Sequence, residues 1–154
     1  MKVIEAPNSL DLIEGPSLFL AGSIEMGTAE NWQDQVIADM STIRGTILNP
    51  RRKDWNASWK QDIDNPQFAE QVNWELDALE RADLILFYFD PATKSPITLL
   101  ELGLFAKGKK PLYVCCPEGF WRKGNVDIVC EKYMIAQTSS LSSLTNMLRC
   151  VMML

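Results

Sequence analysis

Residues 84–89 read LILFYF, an unbroken apolar run set between Asp83 and Asp90-Pro91. A strand with one wet face alternates apolar and polar residues. A strand without alternation is covered on both faces, as central strands of parallel sheets are. The run therefore predicts a sheet with helices on each side, and the flanking chain supplies them.

Upstream, PSLFLAG (16–22) is a second buried run closed by Gly22, and GTILNP (45–50) is a third, stopped by Asn49-Pro50. Downstream, KPLYVCC (110–116) is a fourth and YMIA (133–136) a candidate fifth. Between these runs the period becomes helical. Residues 28–43 open on Thr28 as N-cap and place Trp32, Val36, Ile37, Met40 and Ile43 on one face. Asn65-Pro66 starts a helix with Phe68, Val72, Leu76 and Leu79 on its stripe. Ser95-Pro96 starts the next, closed by Gly108. A last helix, capped among Ser139 to Ser143, carries Leu141, Leu144, Leu148 and Val151. This alternation predicts an α/β three-layer sandwich: a flavodoxin-like doubly wound parallel sheet of about five strands in the order 2-1-3-4-5. The ligand cleft of that order lies beyond the strand C-termini, where the first strand neighbours the third. Gly22, Ser23, Asp90 and Ser95 fall there. The 154 residues fit a single domain over 1–154.

Composition narrows the chemistry. The net charge of −5 argues against nucleic acid as a partner, since phosphate backbones need a basic surface. The one basic cluster, Arg51-Arg52-Lys53, reads either as a solvated loop or as a local anion or base contact. The N-terminus has no apolar segment of a signal peptide, and no stretch is long enough to span a membrane. Cys115, Cys116, Cys130 and Cys150 lack metal spacing and read as reduced thiols of a cytoplasmic protein. Neither a metal nor a cofactor is expected. The chain has no histidine, which removes Ser-His-Asp, Cys-His and HExxH chemistry. Proton transfer then falls mainly to Asp and Glu.

Two glutamates sit oddly. In ITLLELGLF (97–105), helical spacing puts Ile97, Leu100, Glu101, Leu104 and Phe105 on one face, so Glu101 lies on the packed stripe. A buried carboxylate raises its pKa or finds a partner. It can equally sit at the stripe's edge or pair with a buried cation. Glu75 lies beside the stripe of the preceding helix, where a flanking salt bridge is the bland reading. Two such acids on the helices flanking one central strand can converge. Paired carboxylates without histidine suggest glycosyl chemistry.

Four features in order resemble a known family: FLAGSI (19–24), NP (49–50), an acid eight residues before the AD of 82–83, and ELG (101–103). Their spacing is similar to that of the nucleoside 2-deoxyribosyltransferases and the related nucleotide N-glycosidases. The resemblance implies that Glu101 is the nucleophile, attacking C1′ of a 2-deoxyribose to leave a covalent deoxyribosyl-enzyme that a second base or water then opens. It implies that Glu75, where the family usually has Asp, orients sugar hydroxyls or assists base protonation. It places Gly22, Ser23 and Ile24 around the sugar. The nucleotide-cleaving branch has an arginine where this chain has Glu25, which favours nucleosides; Ser95 matches that same branch, which favours nucleotides. The resemblance further implies a homo-oligomer in which Asn125 reaches the neighbouring subunit's site. The loop from Asn49 to Trp59, with Arg51, is where a base is chosen. Trp55 or Trp59 either stacks on the base or buries against the sheet edge or a partner. Two other readings stay open: N-glycosidic cleavage of NAD or a nucleotide, as in TIR-like domains, and a non-catalytic nucleotide-binding or sensing module.

Overall fold

The computed structural model describes residues 1–24 and 30–153. Its strands are β1 (Lys2–Glu5), β2 (Ser17–Gly22), β3 (Thr46–Asn49), β4 (Leu84–Tyr88), β5 (Leu112–Cys115) and β6 (Ala136–Thr138). Its helices are α1 (Trp32–Asp39), α2 (Pro66–Arg81), α3 (Pro96–Phe105), α4 (Lys123–Lys132) and α5 (Leu141–Met152). All strand pairs are parallel, in the order β1-β3-β2-β4-β5-β6. The five expected strands run in the expected order. The correction is a sixth, β1, added outside β3 with Lys2 opposite Thr46 and Glu5 opposite Asn49. It is short and half-exposed, as edge strands are, so it carries little apolar signal. The last strand begins at Ala136, three residues later than the expected YMIA run.

LILFYF is central, as its composition requires. Leu84 to Phe87 are all buried, and β4 pairs with β2 from Leu18 opposite Leu84 to Gly22 opposite Tyr88. Residues within each strand alternate between two cores. Phe19, Ala21, Ile85 and Phe87 pack against α2, α3 and α4 through Trp74, Ala78, Leu79, Leu102 and Val126. Leu18, Leu20, Leu84 and Leu86 pack against α1 and α5 through Trp32, Val36, Met40, Leu144 and Leu148. At the N-terminal end of the sheet, Asp83 Oδ2 accepts from the Ser17 N–H at 2.8 Å and the Ser17 hydroxyl at 2.7 Å, locking β4 to β2.

The helix ends follow their caps. Asn65 Oδ1 accepts from the N–H groups of Gln67 and Phe68, with Pro66 in the first turn. Lys110 Nζ closes the other end of α2, donating to the carbonyls of Leu79, Glu80 and Ala82 at 2.6–2.7 Å. The expected Thr28 cap lies outside the described residues; α1 is capped by Asn31, which accepts from the Asp34 N–H. Among the described residues no helix is long and apolar enough to cross a membrane.

Candidate active site

The sheet's switch point, where such folds place their cleft, falls where β2 pairs with β3 on one side and β4 on the other, and the strands end there at Gly22, Asn49 and Tyr88. Gly22 is required there. A Cβ would come within 2.5 Å of the Trp32 ring and 2.7 Å of the Tyr88 carbonyl oxygen. Trp32 Nε1 donates to the Ser23 carbonyl at 3.0 Å, so α1 holds the Gly22-Ser23 turn from behind. Ile24 follows, partly exposed.

Beneath the cleft lies a knot of hydroxyls. Ser23 Oγ, buried, accepts from the Asp90 N–H at 3.0 Å and from Thr93 Oγ1 at 2.9 Å. Thr93 Oγ1 is 2.7 Å from Ser95 Oγ, and the Ser23 and Ser95 hydroxyls also touch. The knot fixes Ser95 in a left-handed conformation, φ 48° and ψ 52°, which non-glycine residues rarely adopt. Ser95 thereby starts α3 without capping it through its side chain. The sequence singled out Ser23 and Ser95; Thr93 was legible only as a threonine two residues before Ser95.

The setting of α3 puts Glu101 inside. Its buried side is Thr98, Glu101 and Leu102, with Glu101 6% exposed. Here the expected stripe is corrected. Ile97, Leu100 and Leu104 are 57–59% exposed, so the apolar row faces out while the carboxylate faces in. A similar correction holds on α2. Leu76 is exposed, and the packed side is Gln71, Trp74, Ala78 and Leu79. Tryptophan and glutamine can bury there because their polar atoms are anchored: Trp74 Nε1 donates to the Asn8 carbonyl and Gln71 Nε2 to that of Pro50, each at 2.8 Å.

Glu75 sits one turn beyond Gln71, whose Nε2 also donates to Glu75 Oε1 at 2.6 Å. Burial pushes the Glu75 carboxyl up to about 7, opposed by that amide. Burial pushes Glu101 up to about 8, and the charge of Glu75 raises it further. Glu75 and Glu101 are thus within electrostatic reach of each other, on neighbouring helices. Near neutral pH the pair therefore holds about one proton between its two members.

The third wall is the loop after β3. Asn49 is buried and its Oδ1 accepts from the Arg51 N–H at 3.1 Å, turning the chain out of the strand. Arg51 reaches the Glu30 carbonyl. Arg52, which the sequence left inside a basic cluster, organises the loop: its buried guanidinium pairs with Asp54 and Glu70 and lies 5.3 Å from the Trp59 ring centroid. Trp59 meets Trp55 edge-on with centroids 5.1 Å apart. Both tryptophans are partly buried, and Trp55 Nε1 has no hydrogen-bond partner among the described residues. Asn125 stands apart, exposed on α4. At the rim Trp121 Nε1 donates to the Lys94 carbonyl, joining the entries of α3 and α4. Among the described residues no three His, Cys, Asp or Glu side chains are grouped to hold a metal ion.

A doubly wound, all-parallel sheet with helices on both faces defines the class of the fold: an α/β three-layer sandwich of the flavodoxin-like kind. The family model described as nucleoside 2-deoxyribosyltransferase like matches residues 15–120, and the chain belongs to that family. The match spans β2 through the turn after β5 and includes both glutamates and the hydroxyl knot. A comparison with curated proteins gave no match.

Proposed function

We propose that the protein cleaves or transfers at the N-glycosidic bond of 2′-deoxynucleosides through a covalent deoxyribosyl intermediate on Glu101. What supports this reading is the pair of desolvated carboxyls, Glu101 buried and Glu75 half-buried beside it, whose charge raises Glu101 further, in a member of a nucleoside 2-deoxyribosyltransferase-like family. In the free protein Glu101 holds the shared proton more often than Glu75; the reaction proceeds from the state in which Glu75 holds it and Glu101 is the carboxylate that attacks C1′. The C1′–N bond breaks, its electron pair goes to the base nitrogen, and Glu75 gives that base its proton. An acceptor base or water then attacks C1′ from the opposite side, Glu101 leaves as carboxylate, and the acceptor's proton passes to Glu75. Two displacements give net retention.

Gly22, Ser23 and Ile24 border the sugar, and the loop from Asn49 through Arg51 to Trp55 borders the base. The hydroxyls of Ser23 and Ser95 are already engaged with one another, which suits a 5′-hydroxyl better than a 5′-phosphate. Asn125, exposed on α4, completes the site of a second copy in a homo-oligomer. The outward apolar row of α3, which bears no charge, is the surface we assign to that contact. Free buried thiols at Cys115, Cys116 and Cys130 suit a reducing, cytoplasmic setting.

Incubation with deoxynucleosides, ribonucleosides, 2′-deoxynucleoside 5′-phosphates and NAD, each with and without a free acceptor base, tests the reading by released base. Release confined to 2′-deoxy sugars supports it, and exchange with the acceptor makes the enzyme a transferase. Cleavage of NAD alone, or binding without turnover, contradicts it.

A further inference from the structure

Gln71 holds one polar atom that nothing in the fold uses. Its Nε2 gives one hydrogen to the Pro50 carbonyl at 2.8 Å and the other to Glu75 Oε1 at 2.6 Å. A backbone carbonyl only accepts, so the amide cannot be turned around; nitrogen meets Pro50 and Glu75, and Oε1 is the amide's other branch. Oε1 is buried, on a side chain only 5% exposed as a residue, and has no hydrogen-bond partner among the described residues. A buried acceptor without a donor costs free energy until something supplies one. Because both amide hydrogens are committed, Gln71 presents acceptor character alone.

The position of this acceptor says what could satisfy it. The N and O of one amide lie about 2.3 Å apart, so Oε1 is within about 5 Å of the Glu75 oxygen. Glu75 is the group that protonates a departing base, so a base within its reach is also within reach of Oε1. In its acid form Glu75 donates to a ring nitrogen, and Oε1 beside it accepts. Donor next to acceptor on the protein matches acceptor next to donor on the ligand. Adenine presents that pattern at N7 and the N6 amine. Guanine and hypoxanthine present two acceptors, N7 and O6, and set O6 against Oε1.

We propose that Gln71 is a specificity-determining residue that accepts from the exocyclic amine of a 6-aminopurine, selecting adenine-type 2′-deoxynucleosides over 6-oxopurines. The inference rests on the glycosidic reading given above. On this reading the base lies against α2 beside Gln71 and Glu75, next to the loop that begins at Pro50.

The test compares 2′-deoxyadenosine, purine 2′-deoxyriboside (which lacks only the amine) and 2′-deoxyinosine by kcat/KM of base release. Calorimetric binding of adenine, purine and hypoxanthine runs in parallel. The wild-type protein is expected to favour the amino compound over both others by roughly tenfold or more in each assay. Gln71→Met, which keeps the shape and removes the acceptor, is expected to bring the three within about threefold. Equal or better handling of the oxo compound by the wild type overturns the proposal, whatever the fate of the variant. So does a preference that survives Gln71→Met. If no deoxynucleoside releases base while the binding order holds and collapses in Gln71→Met, the glycosidic reading fails and this assignment stands. Base release that ranks 6-oxopurines or pyrimidines first preserves the glycosidic reading and removes this assignment.

Discussion

Glu101 and Glu75 set the pH behaviour at the scale of single residues. The proposed reaction needs one proton on the pair. The carboxyls titrate near 7 and near 8, as a coupled pair and not as two independent groups. Below about 7 both are protonated and no nucleophile exists; above about 8 both are charged and no acid remains. Plotting kcat/KM against pH is therefore expected to give a narrow bell with limbs near these values. A flat profile from pH 5 to 9 contradicts the pair.

The same burial has a stability cost with a definite sign. In the unfolded chain both carboxyls ionise near 4.5, so between that pH and about 8 the folded state binds more protons. Stability therefore falls as pH rises through this window and levels off above it. Glu101→Gln removes most of the Glu101 share. Its unfolding free energy from chemical denaturation is expected to exceed that of the wild type at pH 8, by roughly 2–4 kcal/mol, and to match it near pH 4. The oddity of Glu101 was legible in the sequence as a carboxylate inside the apolar run ITLLELGLF, although the row that made it look buried, Ile97, Leu100 and Leu104, faces outward. The role of Gln71 was not legible. A glutamine in a helix looks the same whether its amide meets water or a carboxylate, and only the approach of Pro50 to α2 decides.

At the scale of elements, the strands were more legible than the helix faces. LILFYF and SLFLAG declare burial on both sides whichever neighbour covers them. A helix face is chosen by its surroundings. On α3 the hydroxyl knot around Ser95 sets the rotation, so Thr98 and Glu101 turn inward although Leu100 and Leu104 are more apolar. On α2, counting aliphatic residues alone overlooked Trp74 and Gln71, which bury well once their polar atoms are paired. The junction of β2 with α1 gives a direct packing test. Gly22→Ala puts a methyl group against the Tyr88 carbonyl and the Trp32 ring, and the backbone cannot retreat from its strand. The expected loss is about 1–3 kcal/mol in chemical denaturation, with weakened ligand binding. An unchanged midpoint contradicts the close approach.

At the scale of the whole molecule, alternation and handedness fixed a doubly wound parallel sheet and the order of its five expected strands was the most economical one, while β1 escaped because an exposed edge strand has almost no pattern to read. The topology puts β2 beside β4, and this places α2 and α3 next to each other with their carboxylates at one end of the sheet. It also leaves Ile97, Leu100 and Leu104 outward on the helix that carries the nucleophile. Sedimentation of the wild type is expected to show an assembly. Leu100→Glu with Leu104→Glu is expected to give a monomer with unchanged circular dichroism and base release reduced at least tenfold, since Asn125 no longer reaches a neighbouring site. A fully active monomeric wild type contradicts the oligomer.

A covalent deoxyribosyl intermediate on Glu101 is best sought by intact-protein mass spectrometry after rapid acid quench of the protein with a cleavable 2′-deoxynucleoside, followed by peptide mapping. The expected result is a mass gain of one deoxyribosyl group on the peptide containing Glu101, absent from Glu101→Gln, which also releases no base. Turnover with no adduct at any quench time, together with undiminished base release by Glu101→Gln, contradicts the claim.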